Sequence, residues 1–294
     1  MSFFDAISLT FLPQLLFSLV ILFQSNGNVS WYDISKLKVP LADQRIRYRD
    51  NPLTFGDLRL PKGSGPHPLA VVIHGGCWQS EYDLEYISHL SAALTKKGVA
   101  TWTIEYRRIG DPGGGWTGTL EDVSNATDYV HTLAEKFPID LNRVILIGHS
   151  AGGHMALWLA ARKNLPKQSN LYRPSPLVVR GVIGLAAISD LRAYGQGSGS
   201  CNRSVAPLMG GTDHFAIANP IELLPLRVPV RLIHGTKDPI VPVEQSSRFA
   251  VEAVRKGDDA RSLPIDGAGH FDVVAPFSPA WAVVERTIME MVAK

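Results

Sequence analysis

The sequence predicts an α/β domain built on a mostly parallel central sheet of about eight strands, with helices on both faces. Three observations predict it. Short, almost unbroken apolar runs recur from residue 45 onward, segments with amphipathic helical spacing separate them, and glycine-containing loops end the runs. A strand that is apolar at nearly every position is buried on both faces, as parallel strands covered by helices are. The chain has 294 residues, 45% hydrophobic and 19% charged, which supplies a core for one such domain and excludes general disorder.

The elements follow in order. Residues 1–30 stand apart, because 9–23 are almost wholly apolar and match the core of a signal peptide or a short membrane anchor. Asp5 but no Lys or Arg precedes that stretch, and no Ala-x-Ala site follows it, so cytoplasmic and exported or anchored locations both stay open. Any membrane contact is expected through this segment alone. A single domain is expected over 40–294, opening with strands at 45–49 and 54–60 around the turn Asp50-Asn51-Pro52. Further strands are read at 69–73, 99–104, 144–147, 181–187, 228–233 and 261–265. Helices are read at 84–97, 120–137, 152–162 and 243–256, and a last one at 279–292 is opened by Ser278 and Pro279. Residues 194–225, rich in glycine and too long for an ordinary connection, are expected to form a small cap or lid.

Several classes are excluded. Twenty-nine Lys plus Arg against 27 Asp plus Glu give +2, with no basic run, so no nucleic-acid partner is expected. Two cysteines, Cys77 and Cys201, cannot build a disulfide scaffold or a four-cysteine zinc site, and they are expected as buried free thiols. No His/Cys/Glu cluster has metal-ligand spacing, and Gly113-Gly114-Gly115 lacks the Lys-Ser/Thr of a phosphate loop. No metal and no cofactor is therefore expected, and the partner is a small molecule.

In open parallel sheets ligands bind at the carboxyl ends of the strands, so the residues just after each apolar run matter most. Gly148-His149-Ser150-Ala151-Gly152 lies between a strand and a helix. Such a turn holds a serine hydroxyl exposed, and its small flanking residues let strand and helix approach closely. Upstream, His74-Gly75-Gly76-Cys77-Trp78 ends the strand at 69–73. Its amides and that of Ala151, at a helix N-terminus, suit the oxyanion of acyl transfer, while His74 reads as a support for the loop. Asp238 follows the strand at 228–233, and His270 follows the one at 261–265, so the chain order is Ser, Asp, His. Ser150 is thus the candidate nucleophile, His270 its base and Asp238 the acid that fixes the imidazole tautomer.

Asp190, also after a strand, is the second choice of acid. Asp266 is too near His270 in sequence, and Asp258 and Asp259 read as a solvated helix end. His149 is taken as the variable position of the turn, His154 and His131 as bland, and His234 as support for the Asp238 loop.

Together the segments 74–78, 148–153, 235–239 and 267–270 resemble the α/β-hydrolase superfamily, in its bacterial esterase and lipase-like branch related to arylformamidases and feruloyl-esterase-like proteins. The resemblance runs from about residue 48 to 292. It implies a triad of Ser150, Asp238 and His270, an oxyanion hole from Gly76, Cys77 and Ala151, and scaffold roles near the site for 105–107 and 114–123. Hormone-sensitive-lipase-like members carry a third glycine where this chain has Cys77, which places the chain nearer the formamidase-like branch. Trp78, Tyr82 and Trp116 sit on loops within reach of a pocket and are candidate substrate contacts. The expected activity is hydrolysis of carboxylic esters through an acyl-enzyme, with an aryl formamidase as the alternative. A non-catalytic binding module of this fold usually lacks a triad member, and none is lacking here.

Overall fold

The computed structural model describes residues 27–211 and 213–293; the stretch at 9–23 lies outside them. A short helix α1 (Trp31–Ser35), capped by the Ser30 side chain, precedes the expected domain start at 40 and still packs on the domain through buried Ile34. The strands are β1 (Gln44–Arg47), β2 (Phe55–Arg59), β3 (His67–Ile73), β4 (Ala100–Ile104), β5 (Ile139–His149), β6 (Gly181–Leu185), β7 (Val230–Gly235) and β8 (Ala260–Ile265). Between and after them run α2 (Ser88–Lys96), α3 (Gly118–Asp128), α4 (Val130–Ala134), α5 (Ala151–Ala161), α10 (Glu244–Arg255) and α11 (Trp281–Ala293), with α6 to α9 in the segment between β6 and β7. The expected helix at 120–137 divides at Tyr129 into α3 and α4, and β5 begins five residues before the apolar run because its first half carries exposed polar residues.

The eight strands form one sheet in the order β1-β2-β4-β3-β5-β6-β7-β8. β1–β2 and β2–β4 pair antiparallel, and every other pair is parallel. Side chains of β3 alternate between two cores, as the period of two in a strand requires. Leu69, Val71 and Ile73 face one core with residues of α3, α5 and α10, whereas Ala70 and Val72 face the other with α2 and α11. The fold is therefore that of the α/β-hydrolases, with strands β3 to β8 all ending at one edge. Among the described residues no helix is long and apolar enough to cross a membrane.

The segment between β6 and β7 carries α6 (Leu191–Gly195), α7 (Ser200–Arg203), α8 (Val205–Leu208) and α9 (Phe215–Ala218). Its anchoring is polar as well as apolar. The fully buried His154 on α5 lies with Nε2 2.9 Å from the carbonyl of Ala218, and Trp78 Nε1–H donates to its Nδ1 at 3.3 Å. Trp158 Nε1–H, also on α5, donates to the carbonyl of Ile217 at 2.8 Å. Asp258 departs from the expected solvated helix end: it is buried and accepts from the amides of Leu226 and Arg227 at 2.7 and 2.8 Å, fixing the return of the chain into β7.

Burial pushes the His154 pKa down to about 4. In the unfolded chain an imidazole titrates near ~6.5. Between those values the unfolded chain binds a proton that the native protein does not, so this residue's contribution is complete above about 6.5 and is lost as pH falls toward 4. One proton gives a slope of at most about 1.4 kcal/mol per pH unit. The expected outcome is that unfolding free energy, measured by urea titration at pH 7, 6 and 5, falls less steeply for His154→Gln than for the wild type. Parallel slopes would count against the assignment.

Candidate active site

Ser150 sits at the sharp turn between β5 and α5, with φ 56° and ψ −118°. That region costs a side-chain-bearing residue about 1–3 kcal/mol, and packing sustains it. A Cβ on Gly148 would collide with the carbonyl of Gly152, and one on Gly152 with the carbonyl of Ile73. Larger residues at either place would push α5 off the sheet. The Ser150 amide is tied to the Leu185 carbonyl at 2.9 Å, so neighbouring β6 holds the turn in place. At the first position of α5, the amide of Ala151 precedes the intrahelical ladder, and the helix dipole adds positive character there.

The loop after β3 passes beside this turn. Cys77 and Trp78 both have left-handed backbones, φ 54° and 58°, which is unusual for two successive residues with side chains. Buried polar groups hold them so. The ring nitrogens of His74 lie 2.9 Å from Glu105 Oε1 and from the Gly75 carbonyl. Glu105 Oε1 also accepts from the Tyr106 amide at 3.0 Å, and its Oε2 accepts from the Leu84 amide at 3.3 Å. Burial alone would raise the Glu105 carboxyl, but His74 and Arg108 outweigh burial and hold it below its ordinary range. The resemblance implies a scaffold role near the site for 105–107, and the contacts show what Glu105 does there: it pins both ends of the loop.

Asp238 and His270 come from the loops after β7 and β8. A Cβ on Gly235 would strike the carbonyl of Ala268, so the glycine lets these two loops touch. His270 Nδ1 lies 2.7 Å from Asp238 Oδ2. The same oxygen receives His234 Nε2 at 3.1 Å, while Oδ1 accepts from the amides of Ile240 and Val241 at 2.8 and 2.9 Å. Burial would raise this carboxyl; the hydrogen bonds from His234 and His270 win and hold it far below the usual range. An ionised Asp238 requires the hydrogen of the neutral His270 ring to sit on Nδ1, leaving a lone pair on Nε2. Asp190 instead caps α6, accepting from the Ala193 amide at 3.2 Å, and Asp266 is exposed beside Thr236.

Ser150 and His270 line one cavity of about 350 Å³, together with Gly76, Cys77 and Tyr82. Two predicted contacts are corrected. Trp78 is fully buried against His154 and does not reach the cavity, because its left-handed backbone turns the ring into the core. Trp116 stacks on His214 with centroids 4.1 Å apart, away from the cavity wall. Sequence reasoning missed Trp31, Tyr86, His149 and Phe271, which do line it. No local pattern marks Trp31 and Tyr86, since α1 and the loop after Cys77 reach the site only through the tertiary fold, whereas the signal for His149 and Phe271 was their adjacency to Ser150 and His270. The free thiols are corrected as well. Cys77 and Cys201 form a disulfide, 124 residues apart in sequence and with Cα atoms 4.9 Å apart, because α7 folds back over the loop after β3. Gln79 Nε2 donates to Ser204 Oγ at 2.7 Å and ties the same two segments again.

Against known proteins, the family model described as BD-FAE matches residues 57–252. The chain belongs to the BD-FAE family. A probable isoprenylcysteine alpha-carbonyl methylesterase of Arabidopsis thaliana is 26% identical to this BD-FAE chain over 252 residues, covering 80% of this chain and 52% of that protein. The chain thus spans about half the length of that plant relative. Kynurenine formamidase of Aspergillus versicolor is 27% identical over 234 residues, covering 64% of this chain and 76% of that protein. Esterase B of Lactobacillus rhamnosis, solved with an inhibitor, superposes with a TM-score of 0.76 at 18% identity, over 88% of this chain and 89% of that one. Its likeness to the BD-FAE chain is one of fold.

Closing a loop of this length with a disulfide stabilises a native protein by about 2–5 kcal/mol. Cys201→Ser in the BD-FAE chain is therefore expected to lower the melting temperature by several degrees, as is dithiothreitol on the wild type, with no further effect of dithiothreitol on the variant. Calorimetry with and without the reductant checks it.

Proposed function

We propose that the protein is a carboxylic ester hydrolase that works through an acyl-enzyme on Ser150. The observation that carries this reading is the 2.7 Å contact between His270 Nδ1 and Asp238 on a cavity wall shared with Ser150. With Nδ1 committed to the carboxylate, Nε2 is the basic nitrogen. It takes the Ser150 proton as Oγ attacks the ester carbonyl, and Asp238 stabilises the imidazolium that results. Negative charge collects on the carbonyl oxygen. The amide of Ala151 and those of Gly76 and Cys77 are the donors for it, each worth about 10²- to 10³-fold in rate in a dry, preorganised site. His270 then gives its proton to the departing alkoxide, and water, activated by the same nitrogen, releases the acid and restores Ser150.

The cavity supports a neutral substrate of modest size. None of the described residues lining it is Lys, Arg, Asp or Glu, and Trp31, Tyr82, Tyr86 and Phe271 give it aromatic walls. An aryl formamide is the second substrate class, supported by the likeness to a kynurenine formamidase. The same residues serve it, with His270 protonating nitrogen. A zwitterionic amino-acid formamide finds no ionised side chain on these walls, which favours the ester.

Hydrolysis of p-nitrophenyl acetate and butyrate is expected for the wild type, with Ser150→Ala reducing kcat on the order of 10⁴-fold or more. A fluorophosphonate probe is expected to label Ser150. Turnover of N-formylkynurenine without turnover of any ester would move the assignment to the formamidase. No turnover of either, and no label, would reject the hydrolase.

A further inference from the structure

One chain of hydrogen bonds crosses the floor of the cavity outside the residues assigned above. The Gly75 amide donates to Tyr86 Oη at 2.6 Å. Tyr86 Oη lies 2.8 Å from His149 Nδ1, and His149 Nε2 lies 3.0 Å from the carbonyl oxygen of His270. Tyr86 and His149 are 6% and 1% exposed, so water does not compete for these bonds. Phe271 packs against both rings, with centroids 6.1 and 5.5 Å away.

Chemistry fixes every hydrogen in this chain. A carbonyl oxygen only accepts, so His149 Nε2 carries a hydrogen. Burial, and then the neighbouring His270, hold the His149 pKa well below its ordinary value, and the ring is neutral. Its Nδ1 is then an acceptor, the Tyr86 hydroxyl donates to it, and the Tyr86 oxygen is left to accept from Gly75. Each donor has one acceptor and none is left over, which is the condition for a buried network to stiffen its surroundings.

The two ends of the chain and its inner member His149 are informative. Gly75 opens the oxyanion loop, His149 is bonded directly to Ser150, and the accepting carbonyl belongs to His270 itself. We propose that Tyr86 and His149 are positioning residues that hold the oxyanion loop and the backbone of the base at a set distance on either side of the nucleophile. The proposal rests on the hydrolase reading of Ser150 and His270. The Asp238 carboxylate fixes the ring of His270, and this second chain fixes its main chain, so the imidazole is held from two sides. Neutrality of His149 is part of the device: its ring centroid is 4.5 Å from that of His270, and a second positive charge there would oppose formation of the imidazolium.

Tyr86→Phe removes one oxygen and keeps the ring, leaving the Gly75 amide and His149 Nδ1 without partners. Because displacement of about an ångström at a reacting group costs on the order of 10²-fold, kcat for p-nitrophenyl butyrate is expected to fall about 10- to 100-fold with KM within threefold. Rates are normalised to the sites titrated by a fluorophosphonate, so partial misfolding does not count as lost kcat. His149→Gln, which retains an N–H donor for the His270 carbonyl, is expected to keep several-fold more kcat per site than His149→Leu. Wild-type kcat per titrated site in Tyr86→Phe, or equal losses in the two His149 variants, would overturn the positioning role while leaving the hydrolase reading intact. A wild type that neither labels nor turns over ester would overturn both.

Discussion

The close approach of α5 to the carboxyl end of β5 is the constraint on which the rest of the molecule depends. Gly148 and Gly152 allow it, and their neighbours leave no space for a Cβ at either position. Held against the sheet in this way, Ser150 adopts a backbone conformation that it would leave in a looser turn. The strain is small beside the buried surface of a helix and three central strands, so the core imposes it without difficulty. From that one turn the Ser150 side chain, the Ala151 amide and His149 all take their directions.

Around the turn, loops are fixed chiefly by buried polar contacts. Asp238 accepts four hydrogen bonds, Glu105 joins His74 to the amides of Leu84 and Tyr106, and Tyr86 and His149 bridge from the amide of Gly75 to the carbonyl of His270. Loops have little apolar surface of their own with which to choose a conformation. Satisfied hydrogen bonds in a dry setting supply the choice, since an unpaired buried group costs about 1–3 kcal/mol. The Cys77–Cys201 bond adds a covalent tie between the loop after β3 and the segment whose residues Gly199 to Asn202 line the cavity.

The order of strands and helices was legible because a period near two and one near 3.6 survive in the sequence wherever an element is half or fully buried. Boundaries were less so. The first half of β5 carries exposed polar side chains, and α1 lies before any apolar run of the domain, so neither leaves such a trace. Ser150, Asp238 and His270 stood out as candidates because each follows a strand and the first stands in a glycine-framed turn. Trp78 and Trp116 were equally conspicuous as aromatic loop residues, yet one turns into the core and the other onto His214.

Residue types and their spacing along the chain determined the layered architecture and the strained turn and marked out Ser150, Asp238 and His270 as candidates, because those follow from contacts between near neighbours and from apolar periodicity. Tertiary structure decided which distant segments meet. It brought Cys201 to Cys77, Trp31 to the cavity, and the carbonyl of His270 to the ring of His149. Such meetings depend on the path of whole elements through space, and a loop of 124 residues leaves no local mark of where it closes.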